Sequence, residues 1–243
     1  MTVRVDVAPT VEALAGRSVQ QAVVLVIDVL RASTTMVAAL ASGCAGIVPV
    51  ADADEARRRA AALPPGTALT AGERRGEPIP GFDLGNSPVD CTPERVRGRL
   101  IVFTTSNGTR ALLAARAAAA VGVAALVNAR AAADWARGGG RDVLLLCAGE
   151  RGGVSLEDHV CAGLLAERLR DEEATLAPAA EAAARVAGGY GKDVGRLASD
   201  SAWARHLART GRAADVAACL ALDTTALVPV YRPDVDKVVS GPR

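Results

Sequence analysis

Short aliphatic runs alternate with longer amphipathic ones along this chain. Val23–Ile27 carries no polar break, the pattern of a strand buried on both faces of a sheet. It runs into Asp28, Arg31, Ser33, Thr34 and Thr35, and then into an apolar, alanine-rich segment at helical density from Met36 to Leu40. That order predicts a strand, a polar turn and a helix, with Ser42-Gly43 as the helix stop. Before it, residues 3–7 alternate apolar and polar as an edge strand does. After it come a short strand at 47–50, a helix at 52–63 with acids first and arginines later, and a strand at 67–71.

The strand–turn–helix layout recurs. A strand at 99–104 leads through Thr105, Ser106, Asn107, Gly108, Thr109 and Arg110 into a helix at 111–120. A strand at 123–127 and a helix at 129–137 follow, closed by Gly138-Gly139-Gly140. A fully apolar strand at 142–147 then opens into Ala148-Gly149-Glu150-Arg151-Gly152-Gly153, and a helix starts at Ser155 with Glu157, Asp158 and His159 in its first turn. Residues 171–222 read as helical, 223–231 as a last strand, and 232–243 as a tail. The fold class expected is α/β, a mostly parallel or mixed sheet flanked by helices and built from repeated strand–loop–helix units. No clean linker interrupts it, so a single domain over 1–243 is expected.

In open α/β sheets ligands sit beyond the carboxyl ends of strands, and helix N-termini favour anions. Asp28 is then placed for a metal or for chemistry, and Arg31, Ser33 and Thr34 for an anionic group. The group from Ser106 to Arg110 offers hydroxyls, an amide, a close-approach glycine and a guanidinium, a cradle for phosphate oxygens. The bland alternatives are ordinary: an Asp after a strand caps or turns, Asn-Gly makes turns, and two acids at a helix start complement its dipole. The stretch 72–88 is rich in Gly and Pro but carries Ile79, Phe82 and Leu84, which favours an ordered functional loop over a flexible linker.

Composition narrows the classes. A net charge of +1 argues against a nucleic-acid or polyanion surface, and no aromatic-plus-basic stretch of the kind that stacks bases occurs. No apolar run approaches the roughly 20 residues of a membrane span, and no signal-peptide core opens the chain, so a soluble cytoplasmic protein is expected. Cys44, Cys91, Cys147, Cys161 and Cys219 form no CxxC pair, which excludes the usual thiolate zinc cluster and leaves buried thiols as the default. The strings of a P-loop, a dinucleotide fingerprint and a nucleophile elbow are missing. So are the Arg six places after a Cys of cysteine phosphatases and the second Asp of haloacid-dehalogenase phosphatases. The carboxylates Asp28, Glu73, Asp83, Glu157 and Asp158 remain, with the anion-binding groups Arg31, Arg74, Ser106, Asn107, Thr109 and Arg110. Hard oxygen donors without Cys or His clusters suit Mg²⁺.

Four long strings, in order, resemble the 2-phosphosulfolactate phosphatase family: Ile27 to Thr35; Gly72-Glu73-Arg74 with Pro80 to Pro88; Thr104 to Leu112; and Cys147-Ala148-Gly149 followed by Ser155 to Asp158. The resemblance implies a Mg²⁺-dependent, acid phosphatase-like hydrolase of an α/β fold of its own. It would convert 2-phospho-3-sulfolactate to 3-sulfolactate and phosphate, a step toward coenzyme M in methanogens. On this reading Asp28, Arg31, Glu157 and Asp158 are catalytic. Asp28, Glu73, Asp83 and Glu157 are the metal candidates. Ser33, Thr34, Arg74, Asn86, Ser106, Asn107, Gly108, Thr109 and Arg110 contact substrate. Attack by a metal-bound water is favoured over an aspartyl phosphate on Asp28. The alternatives are another small phosphorylated hydroxy acid as substrate, or a non-catalytic binder of an anionic metabolite. The partner expected is a small anionic phosphorylated substrate, with neither nucleic acid nor membrane, and a homodimer is left open.

Overall fold

The computed structural model describes residues 2–170, 174–191 and 193–241. Eleven strands form one sheet: β1 (Val3–Ala8), β2 (Val23–Ile27), β3 (Gly46–Pro49), β4 (Ala68–Arg74), β5 (Glu77–Pro78), β6 (Leu100–Thr104), β7 (Ala120–Ala124), β8 (Val143–Cys147), β9 (Ala174–Leu176), β10 (Pro229–Arg232) and β11 (Lys237–Ser240). The helices are α1 (Ala32–Ala41), α2 (Ala53–Ala61), α3 (Pro93–Val96), α4 (Gly108–Ala115), α5 (Ala129–Gly138), α6 (Leu156–Leu169), α7 (Pro178–Gly188), α8 (Leu197–Asp200), α9 (Ala202–Leu207) and α10 (Ala213–Cys219). The expected α/β class is what the chain adopts.

The strand order is β5-β4-β6-β3-β11-β10-β7-β2-β8-β1-β9. Two parallel blocks, β4-β6-β3 and β7-β2-β8-β1-β9, are joined by the antiparallel hairpin β10-β11. β2 is central to its block, and its residues alternate between two cores. Val23, Leu25 and Ile27 pack with α5, α6 and α7, while Val24 and Val26 pack with α1 and α4. That second core also takes Ile47, Ile101 and Phe103 from the other block. Five strand steps separate β2 from β6, and at roughly 20–25° of twist each they accumulate more than about 100°. Residues of both blocks thus share one core with α1 and α4.

Several expected boundaries shift. The strand at 3–7 is not an edge, because β9 pairs with it on the outer side. β9 lies inside the region expected to be helical, whose first residues, 171–173, fall outside the described ones. The helix expected at 111–120 starts at Gly108 and ends at Ala115, and the strand expected at 123–127 is β7, which begins at Ala120. Alanine suits either state, so a run of them hides the boundary. The last strand is shorter than 223–231, and much of the expected tail is β11, which ties the blocks together through Val238 and Ile47. A long-range pairing of this sort leaves no local mark beyond a short apolar pair. All five cysteines are free and buried, as expected. Among the described residues no helix is long and apolar enough to cross a membrane.

Candidate active site

The segments after β2, β4, β6 and β8 meet in one cleft, lined by Asp28, Arg31, Glu73, Asn86, Ser106, Asn107, Glu157 and Asp158 among others. The starts of α1, α4 and α6 border it, so three helix N-termini present their positive ends to the same space. Widely separated loops therefore converge at one rim of the sheet.

Asp28 is held by its own turn. Its amide donates to Ser33 Oγ at 2.9 Å, and its Oδ1 accepts from the Ala32 amide at 3.1 Å. Oδ2 makes no hydrogen bond within the described residues. A β-carbon at position 108 would stand 2.6 Å from Oδ2 and from Ala32 Cβ, so only glycine lets the start of α4 approach this carboxylate. Burial pushes Asp28 up to about 7. The Ala32 amide opposes that shift, Glu73 and Glu157 add to it by repulsion, and Arg31 opposes it.

The other acids are equally constrained. Asp158 accepts from the amides of Val29 (2.8 Å) and Gly149 (3.2 Å), tying α6 to the turn after β2. Ser155 caps α6 by accepting from the Asp158 amide. Burial raises Asp158 well above the usual carboxylate range, and repulsion from Asp28 and Glu157 adds to it. Glu157 is also raised by burial, with Ser201 and Ser155 opposing. Glu73 accepts from the amides of Gly76 (2.6 Å) and Ser106 (2.7 Å) and from Ser106 Oγ (3.1 Å), which joins the ends of β4 and β6. Arg31 donates to Asp215 Oδ2 at 2.6 Å and to the Gly76 carbonyl at 2.9 Å, and Ser87 Oγ donates to the other Asp215 oxygen at 2.6 Å. Asn86 is buried on the cleft wall, and its Oδ1 has no hydrogen-bond partner.

Several sequence-predicted residues lie elsewhere. Asp83 accepts from the Thr70 amide and hydroxyl, both at 2.8 Å, and does not line the cleft. Arg74, one place further along β4 than Glu73, projects to the opposite face, where it donates to Thr104 Oγ1 at 2.8 Å. Arg110 lies on the exposed side of α4, paired with Glu12. Ser33, Thr34 and Thr109 are buried and turned inward, serving as local braces: Ser33 on Asp28, Thr34 on the Val29 carbonyl, and Thr109 on Thr105. Gly108 contributes closeness rather than a contact group.

Sequence reasoning passed over Arg75, Glu150, Arg151 and Trp203, which also line the cleft. Trp203 donates from Nε1 to the Leu30 carbonyl at 3.1 Å and stacks on His206. Nothing in a helical, low-information segment singled out Trp203 or Asp215. Glu150 and Arg151 stood in a Gly-rich string that marks turns, and that was the available signal.

The donor set fits a hard divalent cation. Mg²⁺ needs only one or two carboxylates, its remaining positions going to water and phosphate oxygens. Among the described residues no group of three or more acids, histidines or cysteines forms a ready-made cage. Asp28 Oδ2 and the buried Asn86 Oδ1 are nonetheless oxygen acceptors without partners, in a floor where Asp28, Glu157 and Asp158 repel one another.

A family model described as 2-phosphosulpholactate phosphatase matches residues 8–234. A protein from Symbiobacterium thermophilum is 39% identical over 225 residues, covering 92% of this chain and 94% of its own. One from Deinococcus radiodurans is 39% identical over 245 residues, covering 97% and 95%. One from Gloeobacter violaceus is 39% identical over 207 residues, covering 84% and 85%. Each of the three is described as a probable 2-phosphosulfolactate phosphatase.

Proposed function

The chain belongs to the 2-phosphosulfolactate phosphatase family, a family of phosphoric monoester hydrolases, and from that premise we propose that the cleft hydrolyses 2-phospho-3-sulfolactate to 3-sulfolactate and phosphate with Mg²⁺. The observation that carries this reading is the convergence of the buried acids Asp28, Glu157 and Asp158 with three helix N-termini. A buried acid cluster calls for a cation, and helix starts call for an anion. A metal–phosphate pair supplies both.

Asp28 and Glu157 would hold the ion, with Asn86 beside them. When bound, Mg²⁺ supplies charge neutralisation for the phosphoryl group in flight and a more acidic water. Arg31, fixed by Asp215 and the Gly76 carbonyl, presents a guanidinium whose direction is set before substrate arrives. Ser106 and Asn107 stand at the start of α4, where phosphoryl oxygens gain from the free end of the helix. Water attacks phosphorus in line: the new P–O bond forms as the P–O bond to the ester oxygen breaks, one proton of the water passes to that departing oxygen and the other stays on the phosphate, so sulfolactate leaves as the alcohol and hydrogen phosphate remains. Asp158, both oxygens taken by backbone amides, keeps the two loops in register and takes no part in the transfer.

Phosphate release from 2-phospho-3-sulfolactate, with Mg²⁺ and with EDTA, tests this. Release that EDTA abolishes and Mg²⁺ restores is the expected result. Release from a different phosphorylated hydroxy acid alone would redirect the substrate assignment. Trapping of labelled phosphate on Asp28 under single turnover would replace water by Asp28 as the attacking group.

A further inference from the structure

The rim of the cleft carries two matched turns. Arg75-Gly76 (φ 54° and 86°) joins β4 to β5, where Arg74 and Glu77 are paired. Arg151-Gly152 (φ 51° and 79°) joins Glu150 to Gly153, which exchange backbone hydrogen bonds of 2.9 and 2.8 Å. Positive φ at both central positions marks the type I′ turn, which prefers Asn-Gly or Asp-Gly. A β-carbon with a long side chain is disfavoured at the first of them. Among the described residues four that are not glycine have positive φ. Two are Asp, which tolerates it, and the other two are these arginines. Both line the cleft.

Neither guanidinium makes a hydrogen bond among the described residues, and Arg151 has only a loose ion pair with Glu150. The backbone of Arg75 is fixed by Ser106 Oγ, but its side chain has no hydrogen bond or ion pair among the described residues. Arg151 Nε stands 3.9 Å from Glu150, too far for a hydrogen bond, and its side chain is 77% exposed. The third cation on the cleft, Arg31, is buried and already bonded to Asp215 and Gly76. The floor beneath is acidic, with Asp28, Glu73, Glu157 and Asp158. A second anionic group on a bound phosphate ester is repelled from that floor, and the guanidinium groups without hydrogen bonds that could receive it stand at the rim.

We propose that Arg75 and Arg151 are specificity residues that bind the strong-acid groups of the substrate other than its phosphate. They lower KM for phosphate monoesters whose further acid groups reach the rim, without being needed for an ester that has none. The inference rests on the phosphatase reading of the same cleft and adds which side chains read the ester's remaining acid groups. Two arginines at two separate turns match an ester with two further acid groups, one for each.

The test uses Arg75→Asn and Arg151→Asn, because Asn suits the turn and removes the charge without opposing the fold. The substrates are 2-phospho-3-sulfolactate and p-nitrophenyl phosphate, which has no other acid group. Each variant is expected to raise KM for the sulfolactate ester about 10–100-fold, with p-nitrophenyl phosphate kinetics unchanged. Arg→Lys at either position recovers part of the loss. An unchanged KM on the sulfolactate ester, or an equal loss on both substrates, overturns the proposal while leaving the phosphatase reading intact. If the wild type hydrolyses neither ester, the phosphatase reading fails. The rim is then decided by calorimetric binding of 3-sulfolactate to wild type and variants: weakening in the variants sustains its role, and equal or absent binding overturns it.

Discussion

Asp158 and Arg151 belong to the same short segment after β8, and they are held in opposite ways. Asp158 is buried, with each carboxylate oxygen on a backbone amide from a different loop. Arg151 stands on an exposed turn, its nearest charged partner Glu150 at 3.9 Å and not hydrogen-bonded. The same contrast separates Glu73, locked to two amides, from Arg75, two places along the same chain segment. The floor of the cleft is pre-organised: its groups cannot reorient without breaking hydrogen bonds that also set the loop geometry. The rim is left free, so its ordering falls to the ligand. Reaction needs fixed charge at the phosphoryl group, and recognition of the remaining acid groups tolerates movement.

The largest expected effect comes from the floor. Asp28→Asn keeps the acceptor for the Ala32 amide and removes the charge, so phosphate release should fall about 10³-fold or more. Stability should move the other way. Asp28 is raised from 3.8 to about 7, so the folded state keeps a proton that the unfolded state has lost between those values. Its contribution to stability is complete below about pH 4 and is lost as pH rises through about 7. In EDTA at pH 8 the variant should therefore be more stable than wild type by a few kcal/mol, roughly, the gap closing toward pH 4. Denaturant titrations at the two pH values read this out. Equal stability at pH 8 would mean the carboxylate is not strained by its surroundings.

The next effect is at the join between floor and rim. Arg31 and Asp215 are each 4% exposed in their side chains and 2.6 Å apart. Asp215→Ala leaves a buried guanidinium without a counter-charge, which costs about 3–5 kcal/mol. It also frees Arg31 to turn, so kcat should fall about 10–100-fold even at temperatures where the variant stays folded. Asp215→Asn, which retains shape and a hydrogen bond, should lose less on both measures. If the Ala variant is destabilised but its kcat is intact, Asp215 supports the fold and does not aim Arg31.

How much of this could be read from the sequence follows the same division. The floor was legible because strand ends and helix starts leave a local pattern: an aliphatic run, an acid, hydroxyls, then helix. Asp28, Arg31, Glu157 and Asp158 came from it, while Glu73 came from the Gly- and Pro-rich loop 72–88, whose apolar residues marked it as ordered. Asp215 and Trp203 were not legible, since α9 and α10 reach the cleft only through tertiary packing and nothing near them in sequence signals a site. The hairpin β10-β11 was missed for a similar reason, as its partners, β7 and β3, lie far away in the chain. The arginines were the hardest. A guanidinium is anion-binding chemistry wherever it occurs, and only the direction of its Cα–Cβ bond says whether it faces the cleft. One step along β4 separates Glu73, in the cleft, from Arg74, which projects to the other face. A further step carries the chain into the turn that returns Arg75 to the cleft.

Arg110 gives the smallest expected effect and the cleanest control on that last point. It stands two places after Gly108 in α4, close in sequence to the phosphate end of the cleft, and charge alone would assign it to substrate. Two residues along a helix is a rotation of about 200°, since each residue turns about 100°. Gly108 faces Asp28, so Arg110 faces away, and it pairs with Glu12 on the surface. Exposed pairs of this sort contribute little. Arg110→Ala should therefore leave KM and kcat for 2-phospho-3-sulfolactate within about twofold of wild type, in contrast to Arg75→Asn and Arg151→Asn. A KM increase comparable to theirs would mean that long-range charge rather than contact governs recognition. High salt, which screens distant charges over roughly 3–10 Å, would then erase the difference between the three arginines.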